Sequence, residues 1–213
     1  TTRPGEFSPG LNARDKTTGK LLGEEISGVS ERVLHASWSS PAVGKAKGED
    51  VLVWGGGDGF AYGFDPVPVM DEDEGIPILK ERWRYDGNPV HFRQKPDGTP
   101  IKYATFKGPN DIIGTTVIHE GLVYFAIGQD PEHGDGVGML SCVDASATGD
   151  LSGKAVWTYE YGDGSGIGRS ISTPSITDDG LVICAEYDGD IHCVDAKTGK
   201  QYWVHETGSR VWS

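Results

Sequence analysis

The 213-residue chain has little of what marks membrane-spanning, leader-bearing or nucleic-acid-binding sequences. No stretch approaches the roughly 18–20 apolar residues of a transmembrane helix, and no charged start followed by an apolar stretch marks a signal peptide. Only 19 Lys and Arg stand against 32 Asp and Glu, which gives a formal net charge of −13. Because no Lys/Arg cluster interrupts this acidity, nucleic acid is not expected as a partner.

Catalytic signatures are also missing. The sequence contains no Ser-His-Asp order, His-Glu-x-x-His, Cys-x-x-Cys or P-loop pattern, so nucleophilic, zinc-protease, redox-thiol and kinase chemistry have no support. The chain starts at Thr1 rather than Met. We therefore expect that it was processed, trimmed or incompletely recorded, which leaves room for a leader peptide already removed.

The chain is instead rich in turn-forming and aromatic residues, with 32 Gly, 12 Pro, 6 Trp, 8 Tyr and 6 Phe. Its 36% hydrophobic content is enough for a packed core. Gly and Pro follow no short period, which excludes collagen-like and linker sequences. Many turns that join short apolar runs predict an all-β protein.

One sequence unit recurs along the chain. Its clearest copy, LVICAEYDGDIHCVDAKTGKQYW at 181–203, has two apolar runs around an Asp-Gly turn, then Asp, Thr-Gly-Lys and Trp. Residues 51–65 match it without a gap, 122–157 match it with both turns lengthened, and 11–23 match its end. The shared positions are Asp15, Asp65, Asp144, Asp195, Trp83, Trp157 and Trp203.

Each unit predicts four strands. An entry strand of Ser/Thr-Pro type precedes an apolar second strand, an Asp-Gly turn, a third strand ending at the Asp, and a fourth strand with the Trp. We expect the Asp195 carboxylate to accept hydrogen bonds from backbone N–H groups of the following turn, and Gly199 to supply a positive φ. Trp203 offers a large flat surface to an adjacent sheet. Since one four-stranded unit cannot bury its face alone, radial stacking into a β-propeller is predicted.

The pattern Ala/Cys-x-Asp-x-x-Thr-Gly-x-x-x-Trp resembles the tryptophan-docking repeat of the quinoprotein-like (PQQ-like) β-propeller superfamily. The likeness covers nearly the whole chain and is strongest over 165–206. It implies an all-β propeller of four-stranded antiparallel blades, here a partial propeller with about three complete blades plus parts of two. Such propellers close with about 4–8 blades, so we expect the chain to be a segment of a longer protein.

The repeat divides the chain into six parts. They are an N-terminal segment with the end of a preceding blade (1–35), a blade (36–86), an inter-blade insertion (87–110), two blades (111–161 and 162–206) and the start of the next blade (207–213). We expect Trp83, Trp157 and Trp203 on the outermost strands, where blades meet, and almost no helix. The first expected partner is the rest of the same propeller, or another chain that completes it.

The three cysteines leave two interpretations open. A two-residue turn at Asp188-Gly189 would place Cys184 opposite Cys193, where a disulfide is geometrically possible. Alternatively, all three are small buried hydrophobic residues, since Cys142 shares the repeat position of Cys193 and the other units have Gly or Ala there. No adjacent Cys-Cys pair, which dehydrogenases of the superfamily often carry beside the quinone, is present.

An expanded turn at 128–138, GQDPEHGDGVG, concentrates polar side chains. Its carboxylates, with Asp130 and Asp135 as the candidates, could hold Ca²⁺, and His133 could hold a transition metal. The residue order of a calcium loop is absent, so we prefer a solvated acidic loop without a metal.

Two further segments join this loop on one predicted rim. The link at 87–111 is unusually long and has a predicted hairpin at 94–103, whereas 162–170 is Gly-rich but lacks the following helix of a dinucleotide site. Inter-blade links and turns between second and third strands emerge on the same rim of a propeller, where ligands usually bind, although exposed rims also tolerate insertions. The candidate ligand or partner residues are His91, Arg93, Asp130, His133, Asp135 and Arg169.

Two classes of function remain. The resemblance implies either a non-catalytic binding or scaffolding propeller, or a segment of a PQQ- and calcium-dependent dehydrogenase that oxidises alcohols or sugars. We prefer the first, an exported protein of the periplasm or extracellular space that presents its rim to a protein or carbohydrate partner. The segment shows none of the dehydrogenase's cofactor residues in recognisable order. PQQ and calcium are therefore expected only under the alternative, with the quinone over a Trp on the propeller axis.

Overall fold

The computed structural model describes residues 9–34, 36–102, 108–134, 136–162 and 165–212. Over these residues the protein is nearly all β, with 43% strand and 4% helix, as the sequence predicted. The two helices are single turns, α1 (Val29–Arg32) and α2 (Val90–Arg93). Neither of these described helices is long and apolar enough to cross a membrane.

The strands of the described residues are short. In chain order they are β1 (Asn12–Arg14), β2 (Leu21–Glu24), β3 (Ala42–Ala46), β4 (Glu49–Gly55), β5 (Phe60–Phe64), β6 (Val69–Asp71), β7 (Ile76–Ile78), β8 (Glu81–Asp86), β9 (Val117–His119), β10 (Leu122–Ile127), β11 (Met139–Asp144), β12 (Gly149–Asp150), β13 (Trp157–Glu160), β14 (Ser175–Ile176), β15 (Leu181–Ala185), β16 (Asp190–Asp195) and β17 (Gln201–Glu206).

Three antiparallel sheets repeat one arrangement. The first blade consists of β3, β4, β5 and β8, the second of β9, β10, β11 and β13, and the third of β14 to β17. In each blade the strands follow one another from edge to edge, so the entry strand and the Trp-bearing strand lie at opposite edges. These four-stranded antiparallel sheets are the units that the repeat predicted.

Neighbouring sheets also exchange strands, which the sequence did not indicate. The connection between β5 and β8 forms the hairpin β6–β7, and β7 pairs in parallel with β2, with Glu24 opposite Ile78. In the second blade, β12 pairs in parallel with β8 of the first, with Gly149 opposite Trp83. The lengthened connections therefore satisfy the outer edge of the preceding sheet, whose backbone groups would otherwise lack partners.

The Asp-x-x-Thr-Gly phrase forms the same turn at both ends of the chain. Oδ1 of Asp195 accepts hydrogen bonds from the backbone N–H groups of Lys197 at 3.0 Å and Thr198 at 2.8 Å, and Gly199 has φ of 69°. Asp15 makes the equivalent bonds to Thr17 and Thr18. Because these four bonds reach only two or three residues along the chain, the turn follows from local sequence.

The repeated tryptophans join one blade to the next. Trp83 is fully buried and its indole N–H donates to the carbonyl oxygen of Ala145 in the second blade at 3.1 Å. Trp157 is also buried, and a Cβ added to Gly199 would lie 2.6 Å from its ring. Trp203, at the same position of the third blade, is 44% exposed. Two of the three tryptophans thus lie between described blades, and the third has no described blade over it.

Hydrophobic clusters fill the spaces between successive sheets. The cluster between the first and second blades includes Trp83, Phe125 and Val143, and the one between the second and third includes Leu140 and Val194. A third cluster, around Trp54, Tyr62 and Phe64, includes Val29 of α1. Ala13 of β1 packs against it, so it lies next to the fourth sheet, which consists of β1, β2, β7 and β6. Each large side chain buried in this way stabilises the fold by about 1.5–3 kcal/mol, so the blades support one another.

Of the two interpretations of the cysteines, the pairing of Cys184 with Cys193 is wrong. The backbone N–H of Glu186 donates to the carbonyl oxygen of Asp190, so the hairpin loop has three residues rather than two. This extra residue shifts the register: Cys184 lies opposite His192, and Ile183 lies opposite Cys193. Since alternate residues of a strand point to opposite faces, the two thiols lie on different faces of the sheet. Cys142, Cys184 and Cys193 are all free and buried, which is the second interpretation.

Candidate binding site on the loop rim

Three loop segments meet around one polar cavity of about 460 Å³, which we call the rim cavity. The link at 87–111 contributes His91, the turn at 128–138 contributes Val137, and the connection at 161–170 contributes Arg169. Its complete lining is His91, Gly136, Val137, Gly138, Glu160, Tyr161, Gly168, Arg169, Glu186 and Asp188. Residues of the three predicted rim segments therefore line one concave site.

Charges of both signs line the rim cavity. Arg169 is only 7% exposed; it lies 3.7 Å from a carboxylate oxygen of Asp188 and 4.2 Å from the ring centre of Tyr187. His91 Nδ1 also lies 3.5 Å from Glu160 Oε1. Fixed cationic and anionic groups around a concave space suit a polar ligand rather than an apolar one.

A neighbouring cavity of about 500 Å³ lies beside α2. Both His91 and Arg93 line it, together with Asn88 and Met139. Arg93 is held by Asp86, whose carboxylate oxygen lies 3.2 Å from its guanidinium. The predicted hairpin in this link is present as a tight turn, since Lys95 N–H donates to Thr99 O at 2.8 Å.

A third cavity, of about 390 Å³, is more apolar and is called the Trp cavity below. Trp38, Ile171 and Trp212, which share one repeat position, line it together with Ile113. The remaining lining residues are Asp130, Pro131 and Glu132 from the turn at 128–138. Of the predicted rim residues, Asp130 therefore faces a different space from His91 and Arg169.

The turn at 128–138 is organised by its own hydrogen bonds. Oδ1 of Asp130 accepts the backbone N–H of Glu132 at 2.9 Å, and the carbonyl oxygen of Asp130 accepts that of His133 at 2.8 Å. His133 is half-buried there. Asp135, the other weak metal candidate, lies outside the described residues.

A titratable carboxyl stands close to this turn. Burial, with a smaller effect of Asp130 and then Asp58, raises the pKa of Asp111 to about 8. The backbone of Asp111 is fixed by two hydrogen bonds with Gly128 at 3.1 and 3.2 Å. Below neutral pH this side chain is therefore a neutral acid and can donate a hydrogen bond.

One polar cluster, at the hairpin of the third blade, was not predicted from the sequence. Ligand atoms of Glu186, Asp190 and His192 all lie within 4.8 Å of one another. His192 Nε2 is 3.3 Å from Glu186 Oε2, which also accepts the backbone N–H of Gly168 at 2.6 Å. Although burial favours the neutral acid, these hydrogen bonds hold the pKa of Glu186 below its usual value. The available signal was the alternation Asp190-x-His192 on one strand face, with Glu186 across the turn.

Known proteins resemble the chain in structure. No protein-family model matches it, and no curated protein matches it. A quinohemoprotein alcohol dehydrogenase, ADHIIG of Pseudomonas putida HK5, superposes with a TM-score of 0.62 and 18% identity over 97% of this chain and 33% of its own. BamB from Moraxella catarrhalis superposes with a TM-score of 0.58 and 16% identity, over 92% of this chain and 46% of its own. Sqt1 of Saccharomyces cerevisiae superposes with a TM-score of 0.57 and 13% identity, over 95% of this chain and 43% of its own.

These similarities define the class of fold. The chain has the β-propeller fold that its repeats predicted. It spans less than half the length of each of the three proteins. Because one fold hosts many functions, the function has to be argued from the residues of the site.

Proposed function

We propose that the protein is a non-catalytic binding or scaffolding propeller that holds a protein partner at the rim cavity. The observation that carries this proposal is the convergence of three separate loop segments on one concave polar site. Binding residues are often placed on loops held by a rigid scaffold, and here the scaffold is the stacked blades. Arg169 and His91 would contact acidic or carbonyl groups of the partner, and Glu160 and Asp188 its basic groups.

A protein partner fits this lining better than a carbohydrate does. Among the described residues that line the rim cavity, Tyr161 is the only one with a phenyl or indole ring on which a sugar could stack. A peptide segment carries the alternating donors, acceptors and charges that the rim cavity complements. We further propose that the protein acts outside the cytoplasm, in the periplasm or extracellular space, which cell fractionation would test.

Site-specific photocrosslinking tests the partner proposal. A photoreactive phenylalanine at His91 should capture a discrete partner in an extract of the source cells, and Arg169→Ala should abolish the adduct. The control position is Lys197, which lies on the exposed turn at the opposite end of the third blade. Equal capture at both positions, or capture that survives Arg169→Ala, would contradict binding at the rim cavity.

A quinone-dependent dehydrogenase is the second candidate, and the Trp cavity is the observation that favours it. Trp38 and Trp212 could cover a planar ring system, with Ile113 and Ile171 beside them. The negative charge of this lining does not fit PQQ, which bears three carboxyl groups. Among the described residues that line the Trp cavity, the only ionisable ones are Asp130 and Glu132. Titration of the protein with PQQ and Ca²⁺ discriminates. Saturable quenching of Trp fluorescence with dye reduction by alcohols or sugars would replace the proposed function.

A further inference from the structure

The side chains of Glu186, Asp190 and His192 at the hairpin of the third blade have the spacing of a metal site. The three ligand atoms of Glu186, Asp190 and His192 lie within 4.8 Å of one another, and the His192 and Glu186 atoms are 3.3 Å apart. In a tetrahedral zinc site with bonds of about 2.0–2.2 Å, ligand atoms are about 3.3–3.6 Å apart. A rotation of the partly exposed Asp190 side chain would close the remaining gap.

His192 is held in the orientation that such a site needs. Its side chain is 3% exposed, and Tyr159 Oη lies 3.1 Å from Nδ1 and 2.6 Å from Gln201 Oε1. Because the phenol gives its single proton to the Gln201 carbonyl, it accepts the Nδ1 proton of the imidazole. With Nδ1 protonated, Nε2 faces Glu186, 3.3 Å from its Oε2, and loss of the Nε2 proton on metal binding would leave a lone pair directed at the carboxylates. A hydrogen bond that fixes the second ring nitrogen is the usual support of a metal-binding histidine.

Among the described residues, the only basic side chain within ion-pair distance of Glu186 is the proposed ligand His192 itself. Within the described part of the chain, no Lys or Arg forms an ion pair with Glu186 or Asp190, and Arg169 nearby pairs with Asp188. Glu206 lies directly opposite Asp190 on the adjacent strand and adds another carboxylate. Clustered carboxylates repel one another, so a bound cation would stabilise this arrangement.

The other repeats show that the fold does not require these residues. Gly63 and Cys193 both lie opposite the repeated Trp, so Tyr62 and Phe60 of the first blade correspond to His192 and Asp190. In the second blade the same positions are Ser141 and Met139. The three ligand types thus occur together in the third blade only, among the described blades.

We propose that Glu186, Asp190 and His192 bind a divalent transition-metal ion, with zinc the best match. One imidazole nitrogen and two carboxylates form a donor set that suits zinc better than calcium. Three protein ligands leave one coordination position for water or for a ligand atom, and Glu186 lines the rim cavity from which either could arrive. The site does not depend on the identity of the partner.

Zinc titration of the whole chain against a chromophoric chelator tests this site. We expect one ion per chain, with binding weakened about tenfold or more by Asp190→Asn, Glu186→Gln or His192→Gln. Tyr159→Phe should weaken it less, since Tyr159 only positions His192. The matched control is His205→Gln, which removes an exposed histidine from the adjacent strand and should leave binding unchanged.

Spectroscopy keeps the test decisive if the buried His192 variant fails to fold. Zinc X-ray absorption of the wild-type complex should show nitrogen and oxygen ligands with the multiple scattering of one imidazole. Absence of binding, sulfur ligation, or zinc affinity that Asp190→Asn leaves unchanged would each overturn the proposal.

Discussion

Gly63 and Trp83 lie opposite each other on β5 and β8, and the indole ring occupies the space where a side chain at position 63 would be. A Cβ added to Gly63 would fall 2.2 Å from ring atoms of Trp83, far inside van der Waals contact. The third strand of the first blade therefore has no side chain where the Trp83 ring packs against it. The ring in turn donates to Ala145 of the next blade, so a glycine in one strand supports contact between two blades.

Gly63→Ala should lower the free energy of unfolding by about 1–3 kcal/mol, because the added methyl displaces a ring that is packed on all sides. The matched control is Gly162→Ala, where the new Cβ would meet no heavy atom of a described residue within 4 Å. Urea unfolding followed by circular dichroism measures both. Equal stability of the two variants would show that the Trp83 ring can move away at no cost.

The repeated tryptophans should differ in their contribution to stability. Trp157→Ala removes a buried ring and its 2.9 Å hydrogen bond to Ala196, and should cost about 3–5 kcal/mol. Trp203→Ala removes a ring that is 44% exposed and should cost about 1 kcal/mol or less. The same denaturation experiment compares them. A loss at Trp203 as large as that at Trp157 would mean that Trp203 is covered in solution.

Asp111 should make the protein less stable as the pH rises. Its pKa is raised to about 8 in the folded state, so the folded chain retains a proton that the unfolded chain releases near pH 4. The stabilisation is complete below about pH 4 and is lost as the pH rises through about 8. Asp111→Asn should therefore gain stability over the wild type across this interval, by on the order of 4 kcal/mol at pH 7, since each pKa unit corresponds to about 1.36 kcal/mol.

Thermal unfolding at a series of pH values measures the effect of Asp111. The exposed Asp178 provides the control, since Asp178→Asn should give a curve parallel to that of the wild type. If the curve of stability against pH for Asp111→Asn is also parallel to that of the wild type, the Asp111 carboxyl is ionised in the folded protein at neutral pH.

The cysteines should behave as three protected thiols. Burial raises the pKa of Cys142 and Cys184 to about 12, and it raises that of Cys193 as well. Little thiolate exists at neutral pH, so a thiol reagent should react slowly with the native chain. Unfolding without reductant should release three reactive thiols, counted by mass spectrometry after alkylation. A single adduct would instead demonstrate a disulfide.

Much of the fold follows from short-range sequence. The strand and turn order of each blade was predicted because apolar runs and Asp-Gly turns alternate. The Asp195 turn was predicted because its carboxylate binds backbone N–H groups only two and three residues away. The register of the third blade was not predicted. A single additional loop residue between Glu186 and Asp190 changed which side chains share a face, and with it both the cysteine pairing and the polar cluster.

The sequence by itself determined the repeat, the four-stranded blade and the tryptophan positions, since these depend on local hydrogen bonding and on the alternation of side chains along a strand. Tertiary structure alone decided that β7 joins β2, that Asp130 faces the Trp cavity while His91 and Arg169 share the rim cavity, and that Tyr159 orients His192. Each of these relationships joins residues far apart in the chain, and it depends on how the blades are rotated against one another. That rotation is set by packing over the whole interface between blades, which no short stretch of sequence contains.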